Sequence, residues 1–188
     1  TSSVTNNIAD DNSHTLNGGG VYVGSGGNFE MNKNASVTGN KANRGTALNG
    51  AGVYVSGTKS TFTMNNTASV SDNTANQGGG VYVESGTFNM NAGAISANTA
   101  TNTDSKNTTY GGGVYVSGGT FTMNGHATSV TGNTATNGGG VYVSSGTFNM
   151  NDGKISGNTG NGVFVHNNAT FTVSKTPTVT RNTITENG

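Results

Sequence analysis

The chain has 188 residues, no net charge at pH 7, no cysteine or tryptophan, one proline and 32 glycines. With only 9% of residues charged, it has neither a basic stripe for nucleic acid nor a polybasic patch for a membrane surface. No apolar run reaches the length of a membrane span, and the lack of cysteine removes any disulfide framework.

In chain order, the first apolar element is Ser3-Val4-Thr5-Asn6-Asn7. A long connection, Ile8 to Asn17, leads to Gly20-Val21-Tyr22-Val23, then to Phe29-Glu30-Met31, then to Val37-Thr38-Gly39-Asn40. These last three segments recur in the same order to the end of the chain. The first returns as the valine pairs Val53/Val55, Val81/Val83, Val114/Val116, Val141/Val143 and Val163/Val165, each directly preceded by glycine. The second returns at Phe62, Phe88, Phe121, Phe148 and Phe171, each with Met or, at Val173, valine two residues on. The third returns at Val70, Ile95, Val130, Ile155 and Val179, each three residues before an asparagine. The chain closes on this third segment, Thr178-Val179-Thr180-Arg181-Asn182, followed by Ile184.

A repeat of about 27 residues is the mark of stacked supersecondary units. Within each segment apolar and polar residues alternate, which is the signature of a half-buried strand, and no stretch has helical spacing. Glycine and asparagine between segments supply corners that need positive φ. The prediction is an all-β, right-handed parallel β-helix with three strands per coil and about six coils, spanning residues 1–188 as one domain. The hand follows from the preference of parallel crossovers. A single coil cannot offset its own ordering entropy, so neighbours must share the core. Phe, Met and Val/Ile are each expected to stack on their own kind inside, with the corner asparagines forming an internal amide ladder.

Three surfaces are candidates for function. Alternation points Tyr22, Tyr54, Tyr82, Tyr115, Tyr142 and Phe164 outward, predicting an exposed aromatic row that can stack ring on ring, on another protein or on sugar rings. The long connections Ile8 to Asn17, Lys41 to Asn49 and Thr99 to Tyr110 all leave one corner and carry His14, Arg44, Asp104, Lys106 and Tyr110, a second candidate surface. The third is the pair of ends. Because the chain opens and closes in the same phase, Val4, Thr5, Val179 and Ile184 are candidate edges where further coils or a second copy continue the sheets.

Polysaccharide-cleaving chemistry needs paired carboxylates or acidic metal ligands. Here Asp10, Asp11, Glu30, Asp72, Glu84, Asp104, Asp152 and Glu186 are dispersed, and His14, His126 and His166 occupy different phases of the repeat. No enzyme activity, metal or cofactor is expected.

The stretch Val130-Thr-Gly-Asn133-Thr-Ala-Thr-Asn-Gly-Gly-Gly-Val-Tyr-Val143, repeated along nearly the whole chain, resembles the repeat of the chlamydial-type polymorphic outer-membrane proteins and related adhesin-like proteins. That repeat reads Phe-x-x-Asn followed by Gly-Gly-Ala and an aliphatic residue. This chain departs from it in having Val or Ile for the Phe, and Gly, or Ala51 in one coil, at varying positions of the small-residue run. The resemblance implies a β-helical surface or adhesin segment. The resulting expectation is a non-enzymatic, extracellular or cell-surface structural solenoid whose partners are copies of itself, in a filament, or further coils of a longer array. The alternative is an adhesin domain that takes a host protein or glycan on the long connections or the tyrosine row. Nucleic-acid binding and membrane insertion are not expected.

Overall fold

The computed structural model describes residues 1–10, 15–44, 47–102 and 108–184. Those residues form strands and turns without a helix, and the strands stack as a parallel β-helix. Three sheets are the expected ones. The first contains Val21–Val23, Val53–Val55, Val81–Val83, Val114–Val116, Val141–Val143 and Val163–Val165. The second contains Asn28–Met31, Thr61–Met64, Thr87–Met90, Thr120–Met123, Thr147–Met150 and Thr170–Val173. The third has seven strands: Ser3–Thr5, Ser36–Thr38, Ser69–Ser71, Gly93–Ser96, Thr128–Thr131, Lys154–Ser156 and Thr178–Thr180.

Register is like on like. Phe62 pairs with Phe88 and Met64 with Met90 in the second sheet, Val70 with Ile95 in the third, and Tyr82 with Tyr115 in the first. A one-residue slip would turn each apolar set outward, so the buried faces hold this register. Inside, Phe62, Phe88, Phe121 and Phe148 are fully buried, with Met64, Met90, Met123 and Met150 beside them. The phenylalanine rings stack along the axis at centroid separations of 4.5–5.2 Å.

A fourth, short sheet adds to the expected three. It contains Ile8–Asp10, Lys41–Arg44, Thr74–Ala75 and Thr99–Ala100, and single bridges continue it through Thr134, Thr159 and Thr183. Its strands begin immediately after the buried asparagine, where Thr-Ala is too brief to register as alternation. A fifth pairing joins Thr15–Asn17 to Ala47–Asn49. The described parts of the first two long connections are therefore largely paired strand, because one connection lies directly over the other and their backbone groups find partners. Of the residues expected on that corner, His14, Asp104 and Lys106 lie outside the described residues. Arg44 ends a strand of the fourth sheet with Asp10 as its register partner.

Candidate functional site

The corner after the third strand is built by one residue type. Asn40, Asn73, Asn98, Asn133 and Asn158 are buried, and each donates its Nδ2 to the Oδ1 of the asparagine one coil on, in a series that runs from Asn7 to Asn182 at 2.8–3.0 Å. The same Oδ1 also accepts the backbone N–H of the preceding asparagine, as Asn133 Oδ1 does from Asn98 N at 3.0 Å. The second Nδ2 proton returns to a carbonyl of the coil behind, as from Asn98 to Val70 O at 3.0 Å. Among the described residues no buried side-chain nitrogen or oxygen is left without a partner. The ladder also dictates the glycine before each Val-x-Val. A Cβ on Gly80 would lie 2.9 Å from Asn98 Nδ2 and 2.6 Å from the carbonyl oxygen of Gly113, so only glycine lets the strand pass the amide.

A second amide ladder runs down the opposite corner, partly in solvent. Asn65 donates to Asn32, Asn91 to Asn65, Asn124 to Asn91 and Asn151 to Asn124 at 2.9–3.1 Å, and Ser174 closes it on Asn151. The sequence signal for it was the asparagine that follows every core methionine, which an interior-facing search passes over.

The tyrosine row differs from its prediction. Tyr54, Tyr82, Tyr115 and Tyr142 are buried, each under a tenth exposed, Phe164 is half-buried, and only Tyr22 in the first coil is open to water, at 57%. The rings do point outward and stack at 4.7–5.4 Å, but the outer face is covered. The segment ahead of each strand doubles back over the tyrosine. Gly78, Gly111 and Gly138, at φ near +60°, come so close that a Cβ there would sit 2.8–2.9 Å from the Cβ of Tyr82, Tyr115 or Tyr142. Tyr110, expected on the loop surface, instead packs on the row, 4.8 Å from the ring of Tyr142 and 6.4 Å from that of Tyr115. The Tyr54 hydroxyl bonds to Glu84, whose Oε2 also accepts Ser56 Oγ, and the Tyr82 hydroxyl bonds to Ser117. Burial pushes the hydroxyls of Tyr54, Tyr82 and Tyr142 above the ordinary tyrosine range, and at Tyr54 the bond to Glu84 adds to the rise. This row is a packed ladder, and from Tyr54 to Tyr142 it offers no open ring face.

The ends are open. At the carboxyl-terminal coil Val173, Val179 and Ile184 are exposed, Ile184 at 64%, and Val179 and Ile184 line a concavity with Phe171 and Asn182. At the other end Val4 is half-buried and Thr5 exposed, beside a hollow of about 150 Å³ lined by Val4, Phe29, Met31, Ala35 and Val37. Titratable groups do not converge anywhere described: no cluster of three or more His, Asp or Glu could hold a metal among the described residues. A His–Asp contact, His126 Nδ1 to Asp152 Oδ1 at 3.3 Å, is on the surface. Asp152 is held below the usual carboxylate range, chiefly by the Gly153 backbone N–H and then by His126. No family model, curated protein or solved structure matches the chain.

Proposed function

We propose that the chain is a non-enzymatic structural element of an extracellular or cell-surface β-solenoid, continued at its ends by further coils of a longer array or by copies of itself. The observation that carries this reading is the polarity of the buried asparagine ladder. Among the described residues the Oδ1 of Asn7 accepts no hydrogen bond and the backbone N–H of Asn182 has no acceptor. One end thus presents an acceptor and the other a donor of the same bond, which suits head-to-tail continuation. The exposed Val179 and Ile184 line the same concavity as Asn182, at the last strand of the third sheet.

The resemblance to outer-membrane repeat proteins supports the surface location. The adhesin reading loses its best surface with the covering of the tyrosine row.

Electron microscopy paired with sedimentation tests the proposal. Rods about 30 Å long, from seven rungs at strand spacing, are expected to join end to end as concentration rises, and Val179→Lys to keep them apart. Rods that cluster side by side, or turnover on a polysaccharide panel, would overturn it.

A further inference from the structure

The second amide ladder runs through Asn32, Asn65, Asn91, Asn124, Asn151 and Ser174, and the residue after each differs from coil to coil: Lys33, Asn66, Ala92, Gly125, Asp152 and Lys175. Asn124 alone in that ladder is followed by glycine. Packing demands it, since a Cβ on Gly125 would run into the carbonyl oxygen of Asn91 in the preceding coil. The stack thereby fixes, at a half-buried corner that water reaches, the dipeptide in which a backbone nitrogen meets least hindrance on its way to an asparagine side chain.

Ring closure between the two needs a nucleophile and an electrophile. The nucleophile is the glycine nitrogen, which must give up its proton, and a hydrogen bond there has to open first. Gly125 N–H has no acceptor among the described residues. At three other Asn-Gly pairs the nitrogen is engaged: Gly18 N–H donates to Asn49 O at 3.1 Å, Gly50 N–H to Gln77 O at 2.9 Å and Gly138 N–H to Asn161 Oδ1 at 3.4 Å. The electrophile is the side-chain carbonyl carbon. Asn151 Nδ2 donates to Asn124 Oδ1 at 2.9 Å, on the oxygen where negative charge grows as the nitrogen adds, so the ladder itself stabilises that charge. Asn161–Gly162 also lacks a described acceptor for its glycine N–H, but Asn161 Oδ1 takes the longer bond from Gly138.

We propose that Asn124 is a spontaneous modification site at which the folded stack promotes deamidation. The Gly125 nitrogen forms a bond to Cγ of Asn124 and loses its proton, the Cγ–Nδ2 bond breaks, and Nδ2 leaves as ammonia with that proton. Water then opens the succinimide at either carbonyl, giving aspartate or isoaspartate. The new carboxylate still accepts from Asn151 but has no proton for Asn91 Oδ1, to which Nδ2 donated at 3.1 Å. Isoaspartate also adds a backbone carbon in a turn already closed against Asn91. A chain of no net charge gains a negative one, and the second ladder is cut between the coils of Phe88 and Phe121. Conversion thus records the age of the folded molecule.

The test incubates the protein at mildly alkaline pH, folded and in parallel unfolded in urea, and maps both digests by mass spectrometry with aspartate and isoaspartate resolved. In the folded protein Asn124 is expected to convert at least about tenfold faster than Asn17, Asn49 and Asn137, whose glycine amides must first open, with Asn161 between. In urea that advantage is expected to vanish. A folded-state rate at Asn124 no faster than at Asn137, or an advantage that persists in urea, would overturn the proposal. Asn124→Gln, whose extra methylene disfavours the ring, is expected to suppress the main acidic species on ion exchange, and undiminished acidic species in that variant would overturn it as well. The acidic species, once isolated, is expected to unfold at lower urea than the parent. An unchanged midpoint would remove the consequence for the ladder and leave the modification site standing.

Discussion

The middle coils and the end coils are written in nearly the same words and have different physical circumstances. Phe88 and Phe171 occupy the same position of the repeat, each in a Thr-Phe-x-x strand, yet Phe88 is fully buried between Phe62 and Phe121 while Phe171 has Phe148 on one side only. Tyr54 is 2% exposed and Tyr22 57%, one coil apart. Stability here belongs to the interface between neighbouring coils more than to any coil, the expectation for a quasi-one-dimensional stack.

The sharpest way to break that comparison is to truncate the same side chain in both places. Phe88→Ala opens a cavity between two rings and is expected to cost about 4 kcal/mol. Phe171→Ala, half-buried at the end, is expected to cost about 1–2 kcal/mol. Urea midpoints at unchanged slope measure both, and equal losses would mean that the coils are independently stable.

The asparagine ladder gives the next largest contrast. Asn98→Ala leaves Asn73 N–H and Nδ2–H without their acceptor and takes from Asn133 Oδ1 its side-chain donor, leaving it the backbone N–H of residue 98, all of them buried. A loss of about 3 kcal/mol follows from the cost of unsatisfied buried groups. Asn182→Ala removes the acceptor of Asn158 at an end that water reaches, and about 1 kcal/mol is expected. The tyrosines extend the series: Tyr115→Ser should cost about 2–3 kcal/mol and Tyr22→Ser less than about 1 kcal/mol. A Tyr22 variant as damaging as the Tyr115 one would show that the first coil is covered in solution.

The contrast also marks where sequence reasoning reaches and where it stops. Phe, Met, Val/Ile and the inner asparagines were legible because each rests on two local facts, strand alternation and like-on-like stacking at fixed phase. The outward direction of Tyr82 was legible in the same way, but its burial was not. Alternation states which side of the strand a ring takes, whereas cover depends on the path of Gln77–Gly78, set by a left-handed glycine that reads simply as a turn. The Thr-Ala strands of the fourth sheet were too short to show a period. The seventh strand of the third sheet was countable in the repeats, as seven third segments from Val4 to Val179 against six of each other kind.

Alkaline titration tests the covered part of the tyrosine row against the folded state. The hydroxyls of Tyr54, Tyr82 and Tyr142 have folded pKa values above the unfolded value of about 10. Folding therefore favours their neutral forms. That contribution is fully present below the unfolded pKa and declines as pH rises beyond it toward the folded values. Tyrosinate absorbance and backbone circular dichroism, followed together, should show these groups ionising above the usual tyrosine range and in step with loss of structure. Ionisation of the full tyrosine complement near pH 10 with the sheet intact would mean that the segments over the row lift freely.

The smallest effect lies at the surface of the fifth coil, where acid should act through Asp152. Its folded pKa is lowered, chiefly by the Gly153 N–H at 2.8 Å and secondarily by His126. A lowered carboxyl pKa stabilises the fold above the unfolded value near 4 and loses that contribution as pH falls through the folded value. Asp152→Asn should flatten the acid limb of the stability profile slightly. His126→Ala should flatten it less, since the backbone donor that holds the carboxylate remains. Because Gly153 sits at φ +94° against the Thr128 hydroxyl and carbonyl of the preceding coil, the donor is fixed by the stack and not by the histidine. A His126→Ala profile as flat as that of Asp152→Asn would reverse that ranking and make this surface pair, unlike the ladders, independent of the coils beneath it.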